Sequence, residues 1–190
     1  SINSNFANIP IGASVEGMGV VAPNLNIDAK GTAVKLAVGA SPVAYGAPNT
    51  STYISNGAMN LNGGFSDMVA QAAQQAHQYT FTFAPGFAVD RFSLHMLDYG
   101  DLNPSKSLSH YVSMTAYGVS NNIVSKSELS FTSNNLNSPQ YGYLGATGDA
   151  TALPGQPGNW TWNVSGAGIT RVVLDFGVGY DPNIAFDALS

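Results

Sequence analysis

The chain has 190 residues, of which 44% are hydrophobic and only 9% are charged, and its formal net charge is −5. This length suits one domain with a sizeable core, and the hydrophobic fraction excludes a disordered chain. Six basic against eleven acidic residues exclude nucleic acid as a main partner, and the absence of cysteine excludes disulfides and thiolate sites.

Alternation of polar and apolar residues, interrupted by turn-forming residues, predicts short β-strands along most of the chain. The clearest strand is 78–84, where Tyr79, Phe81 and Phe83 share one side and threonines share the other. We therefore expect Phe81 to be buried in the core. In chain order, the predicted strands are 33–38, 78–84, 91–97, 110–117, 123–131, 159–164, 171–176 and 184–189.

Residues 66–77 depart from this alternation. They are rich in alanine and glutamine, which favour a helix, and Ser66 or Asp67 is suited to cap its first turn. Because the apolar residues of this segment are mostly alanine, little burial would stabilise such a helix. The sequence leaves a short helix and an irregular segment equally open here.

Eight or more strands joined by turns predict an all-β fold, an antiparallel β-sandwich of jelly-roll type. An immunoglobulin-like sandwich is the alternative. No internal repeat or linker-like change of composition divides the chain, so residues 1–190 are expected to form one domain. The chain starts at Ser1 without a charged and then apolar leader, which is typical of a mature segment or an excised module, and we expect a module of a larger extracellular protein.

The low charged fraction means that Asn, Ser, Thr, Gly and Gln must cover the surface. This neutral coat favours an extracellular protein, either secreted or at the cell surface. Membrane insertion is not predicted, because no apolar run approaches the roughly 18 residues of a membrane helix and the basic residues are scattered. Nothing in the sequence indicates an oligomeric state.

Two acidic groups are candidate sites for a structural calcium ion, which prefers carboxylate, amide and carbonyl oxygens. Asp98, Asp101 and Asn103 follow a predicted strand within six residues. Asp181 precedes the last predicted strand, and Asp187 lies within it. The alternatives are Asx-turns at the first group and a solvated edge-strand carboxylate at Asp187.

Aromatic residues make up 11% of the chain, and in a protein with few charges they are suited to stacking on sugar rings. Trp160 and Trp162 share a strand side with Val164, which favours a place in the core. The candidate carbohydrate-binding residues are tyrosines in or beside glycine-rich loops. These are Tyr99, Tyr141, Tyr143 and Tyr180.

The sequence favours a non-catalytic protein. Its three histidines lack the spacing of a zinc site, and no G-x-S-x-G motif accompanies them. Glu128 alternates outward as a surface residue would. Asp98 with Asp181 is the best available carboxylate pair for glycoside hydrolysis, but no motif brings the two together.

Five short motifs make the chain similar to β-sandwich domains of bacterial secreted and cell-surface proteins, which resemble carbohydrate-binding-module jelly rolls. The motifs lie at 83–86, 92–94, 97–104, 112–117 and 184–189. The resemblance implies a structural calcium near the aspartate of the closing strand, which is Asp187 here. It also implies a further calcium ligand near the N-terminus, for which Asn8 and Glu16 are the candidates.

Taken together, these features predict a non-catalytic, extracellular carbohydrate-binding module with structural calcium. Its expected partner is a polysaccharide or another glycan. The alternative is a structural or adhesion domain of a bacterial cell-surface protein that has no glycan ligand.

Overall fold

The computed structural model describes residues 15–31, 53–54, 59–60, 65–67, 77–97, 109–132, 160–176, 184–187 and 189–190. Within these ranges the chain is all-β, every strand pairing is antiparallel, and there is no helix that could cross a membrane. The strands are β1 (Gly17–Met18), β2 (Leu25–Gly31), β3 (Tyr53–Ile54), β4 (Met59–Asn60), β5 (Phe65–Asp67), β6 (His77–Phe83), β7 (Val89–Leu97), β8 (Ser109–Gly118), β9 (Ile123–Thr132), β10 (Trp160–Asp175) and β11 (Ile184–Asp187).

Strand β10 belongs to two antiparallel sheets. Its first half, 160–165, pairs with β7, and its second half, 171–175, lies between β6 and β8. The first sheet has the order β1-β2-β6-β10-β8-β9, and the second has the order β10-β7-β11-β5. The register shifts between the two halves, where Gly168 has a φ of +73°. A bulge of this kind lets a strand pass from one sheet into the other.

The two sheets face each other across an aromatic core. Between ring centroids, Phe81 of β6 lies 4.8 Å from Phe92 of β7, and Tyr79 of β6 lies 5.2 Å from Phe186 of β11. Because β6 pairs with neither β7 nor β11, these contacts cross the interior of the sandwich. Alternate residues of the long strands enter this core, as the period of two in their sequences requires.

The structure confirms the predicted antiparallel β-sandwich. The chain crosses between the sheets from β5 to β6, from β6 to β7 and from β7 to β8, as in a jelly roll. Phe81 is fully buried, as expected. The strands predicted at 78–84, 91–97, 110–117, 123–131 and 184–189 correspond to β6, β7, β8, β9 and β11, and that at 33–38 lies outside the described residues.

The structure differs from the sequence-based expectations at three elements. The strands predicted at 159–164 and 171–176 are one strand, β10, because the glycine-rich link bends the strand without ending its pairing. Ser66 and Asp67 pair with β11 in strand β5, so neither caps a helix; residues 68–76 lie outside the described ranges. Strand β2 was not predicted, because Asn, Asp, Lys and Ala dominate its sequence and are depleted in strands.

Three turns and the bend of β10 lie at one end of the sandwich, which we call the turn end. The N–H of Ala84 donates to the carbonyl of Asn24 at 2.8 Å, which joins the turn at 84–88 to the turn at 18–24. In the strand register, Ile169 lies opposite both Val89 and Gly118, which brings the third turn and the bend to the same end. The turn end comprises residues 18–24, 84–88, 118–123 and 166–168.

Candidate functional site

The outward side of the first sheet carries polar and aromatic side chains that we call the polar face. These residues alternate along each strand with core residues, so the period of two shows which side of the sheet they occupy. Ser113 and Thr115 of β8 are themselves buried, each with only 7% of its surface exposed. The polar face comprises Gln78, Thr80 and Thr82 on β6, Arg171, Val173 and Asp175 on β10, Tyr111, Ser113, Thr115 and Tyr117 on β8, and Lys126 and Glu128 on β9.

Strand register aligns these residues in rows across the sheet. In one row, Gln78 Nε2 donates to Asp175 Oδ2 at 2.8 Å, and Asp175 is opposite Ser113 on the neighbouring strand. Ser113 in turn is opposite Glu128. This row of amide, carboxylate and hydroxyl groups therefore runs across four strands, and its Ser113 is buried.

Tyr111 stands at one end of the polar face, with 40% of its surface exposed. Its hydroxyl donates to Glu128 Oε1 at 3.0 Å, and Lys126 Nζ lies 3.2 Å from the same oxygen and 6.0 Å from the Tyr111 ring centroid. The hydrogen bond from Tyr111, followed by that from Lys126, lowers the pKa of Glu128 from its ordinary value. Tyr111, followed by Glu128, raises the pKa of Lys126. Both groups stay charged around neutral pH, which keeps the Tyr111 hydroxyl bonded.

At the other end of the face, the guanidinium of Arg171 lies over the ring of Tyr117, with Cζ 4.2 Å from the ring centroid. Arg171 Nη2 also donates to Asn121 Oδ1. Asn121 has a φ of +59° in the β8–β9 turn, a left-handed conformation that asparagine tolerates well. These contacts hold the guanidinium on the β8 side of β10, and Thr82 of β6 is opposite Arg171 in the register on the other side.

This arrangement suits an extended polar ligand. Tyr111 and Tyr117 are six residues apart on the same side of β8, which separates them by about 20 Å at the rise of an antiparallel strand. The partly exposed side chains of Gln78, Thr80 and Thr82 on β6 can donate to and accept from sugar hydroxyls, while a tyrosine ring can stack on the C–H face of a sugar. Among the described residues, no three His, Cys, Asp or Glu side chains gather as a metal site.

Most site residues predicted from the sequence lie outside the described ranges. These are the calcium candidates Asp98, Asp101, Asn103 and Asp181 and the tyrosines Tyr99, Tyr141, Tyr143 and Tyr180. Asp187 lies in β11, where its backbone pairs opposite His95 of β7. Strands β7, β9 and β10 end at Leu97, Thr132 and Asp175, all at the end of the sandwich opposite the turn end.

Other sequence predictions fall within the described residues. Trp162 is fully buried, and Trp160 packs against the same core, as predicted. The ring centroids of the two tryptophans are 6.2 Å apart. Glu128 is exposed, also as predicted. His95 is a buried residue of β7. Glu16, a candidate N-terminal calcium ligand, accepts the backbone N–H of Ala29 at 2.8 Å through Oε1, which ties the chain before β1 to strand β2.

Tyr111 and Tyr117 were not among the predicted binding residues, although their alternation with apolar residues is visible in the sequence. In the strand predicted at 110–117, two tyrosines, a serine and a threonine alternate with valine, methionine and alanine. A strand that buries one side in a sandwich exposes the other. The predicted binding tyrosines all lie in or beside loops, so the outward side of this strand was not among them.

Comparison with known proteins finds no matching family model and no matching curated protein. Solved structures that are similar include an arabinose-bound α-L-arabinofuranosidase, MgGH51, which is 13% identical (TM-score 0.45). The match covers 100% of this chain but only 26% of that one. The K1 cleaved adhesin domain of Lys-gingipain from Porphyromonas gingivalis W83 is 14% identical (TM-score 0.41; 98% of this chain, 94% of that one). The family 11 carbohydrate-binding module of a Clostridium thermocellum cellulase, Lic26A-Cel5E, is 7% identical (TM-score 0.34; 100% and 91%).

Proposed function

We propose that this chain is a non-catalytic module that binds a polysaccharide or another glycan along the polar face. The observation that carries the proposal is the polar face, on which the partly exposed polar side chains of β6 and β10 lie on the same side of the sheet as Tyr111 and Tyr117 of β8. Acidic and basic side chains on this face engage each other or other protein groups, as Lys126 and Glu128 do. A neutral, hydroxyl-rich polymer fits such a surface, because its binding requires no net opposite charge.

The expected affinity is low for one sugar and higher for a longer chain. A stacking contact or a hydrogen bond at an exposed site contributes about 1 kcal/mol, so a single sugar should bind with a dissociation constant of roughly high micromolar to millimolar. An oligosaccharide that reaches both tyrosines adds contacts. Binding should change little between low and high salt, because the contacts are not ionic.

Tyr111→Ala should weaken polysaccharide binding by about fivefold to tenfold, since it removes the most exposed ring of the polar face. Tyr111→Phe should retain most of the binding, because it keeps the ring and loses only the hydroxyl that donates to Glu128. Affinity electrophoresis in gels that contain a panel of neutral polysaccharides measures both variants against the parent chain.

Asn163→Ala is the matched control for this experiment. Asn163 is exposed on the second sheet, opposite Ser93 of β7, and therefore outside the polar face. Its replacement should leave binding unchanged. Parent-like retardation of Tyr111→Ala would place the ligand elsewhere, and a parent chain that binds none of the panel would reject the glycan proposal.

The proposal includes an extracellular setting and a structural calcium ion at Asp98, Asp101 and Asn103 or at Asp181 and Asp187. Oxygen donors of these types are those that calcium prefers. Calcium at 100 times its dissociation constant should add about 2.7 kcal/mol to the free energy of unfolding, so chelation should lower the melting temperature. Asp98→Asn and Asp181→Asn, tested separately, should identify the group responsible. An unchanged melt in excess chelator, together with no calcium by elemental analysis, would refute this part.

A structural or adhesion domain without a glycan ligand is the second candidate function. The observation that favours it is a set of exposed apolar side chains at the turn end, which suits contact with protein more than with sugar. The polysaccharide panel separates the two functions, because only the first predicts binding that depends on Tyr111.

A further inference from the structure

Large apolar side chains are exposed at the turn end of the sandwich. Among the described residues, six large hydrophobic side chains are exposed, and all but Tyr111 lie at this end. Single exposed apolar residues are ordinary on a protein surface, but their concentration at one end is not. The five are Met18, Val20, Phe87, Val119 and Ile123, with exposed fractions from 42% to 88%. We call them the apolar end.

The apolar end is also free of charged residues in its turns. None of the segments 18–24, 84–88, 118–123 and 166–168 contains Asp, Glu, Lys or Arg. One charged group reaches these turns from a strand: the guanidinium of Arg171 donates to Asn121 Oδ1. Covering this end would desolvate no charged side chain of the four segments themselves, which lowers the cost of burying this surface.

We propose that the apolar end binds a second copy of this chain, end to end, in a weak and reversible dimer. An uncharged apolar surface is complementary to itself, because apolar groups of one copy meet apolar groups of the other. A strongly anionic partner is disfavoured by the net charge of −5 and by the lack of basic residues in the turns. A two-fold axis through this end makes the contact closed and limits assembly to two copies.

The size of the surface sets the strength of the contact. Five side chains with these exposed fractions present roughly 500 Å² of apolar area, so a dimer buries on the order of 1,000 Å² in total. This total is at the lower limit for a specific interface. The dimer should therefore dissociate with a constant of roughly 10 μM to 1 mM.

The dimer has a consequence that rests on the proposed function. Two copies joined at their turn ends carry two polar faces in one particle, so a long glycan can engage both and gain affinity through avidity. Self-association itself does not depend on any glycan. Measuring it without polysaccharide therefore keeps its failure separate from a failure of the glycan proposal.

Sedimentation-velocity ultracentrifugation of the chain from about 5 μM to about 1 mM, without glycan, tests the dimer. The weight-average sedimentation coefficient should rise with concentration, and high salt should leave the dissociation constant unchanged or lower it. Val119→Asp should raise the constant at least tenfold, because it places like charges at the contact. Phe87→Ser should raise it as well.

Thr161→Asp is the matched control, since it adds the same charge at an exposed position of β10 near the opposite end of the sandwich. It should leave the constant within twofold of the parent value, and circular dichroism should show that all three variants fold. A parent chain that stays monomeric to about 1 mM would overturn the proposal. So would equal weakening by Thr161→Asp, or binding of the monomer to zwitterionic lipid vesicles that depends on Val119.

Discussion

Trp162→Ala is expected to destabilise the fold by about 3–5 kcal/mol, a large part of the roughly 5–15 kcal/mol that stabilises a domain. Trp162 is fully buried between the sheets, and its indole N–H points at Met96 Sδ at 3.5 Å. Its removal leaves a cavity at the point where β10 packs beside β7. Urea unfolding followed by circular dichroism measures the loss.

Trp160→Ala is the control, because Trp160 lies two residues away on the same strand and is only partly buried. It should cost clearly less than Trp162→Ala. Trp162→Phe should recover part of the loss by refilling some of the cavity. A Trp162→Ala variant that loses less than about 1 kcal/mol would contradict the position of this ring in the core.

Gly166→Ala is expected to destabilise the fold by about 1–3 kcal/mol, although it adds only one methyl group. A Cβ built at Gly166 would overlap Val124 Cγ1, because β10 passes close to β9 where it leaves the second sheet. Val124 packs against the core, so it can yield only by disturbing its neighbours. Urea unfolding again gives the change in free energy.

A double-mutant cycle with Val124→Ala tests the cause of this effect. If the overlap is responsible, Val124→Ala should relieve most of the cost of Gly166→Ala, and the two changes should couple by at least about 0.5 kcal/mol. Ala167→Ser, at an exposed neighbouring position, should be nearly neutral. Additive effects of the two substitutions would show that the bend of β10 does not depend on this close approach.

The strands with strong alternation could be predicted from the sequence, because alternation reports directly on one buried and one exposed side. This applies to β6, β7, β8 and β9. Strand β2 could not be predicted in this way: Leu25 and Ile27 enter the core, but the residues between and after them are poor strand formers. Pairing with β6 along its whole length determines its conformation.

The candidate site, too, could be predicted only in part from the sequence. The sequence shows a weakly charged protein with many hydroxyl, amide and aromatic groups. It does not show that Ser113 lies opposite Asp175, or that Tyr111 reaches the carboxylate of Glu128, because these contacts depend on the pairing of distant strands. The composition of the polar face therefore depends on the register of the sheet.

Composition and local periodicity were enough to predict the all-β class and the alternating core of the main strands. Only the folded chain shows that 160–175 is one strand shared by two sheets, that Tyr111 and Tyr117 lie on one polar face, and that five exposed apolar side chains lie at the same end of the sandwich. The physical reason is that each of these features depends on which distant segments pair, and local sequence does not encode that choice.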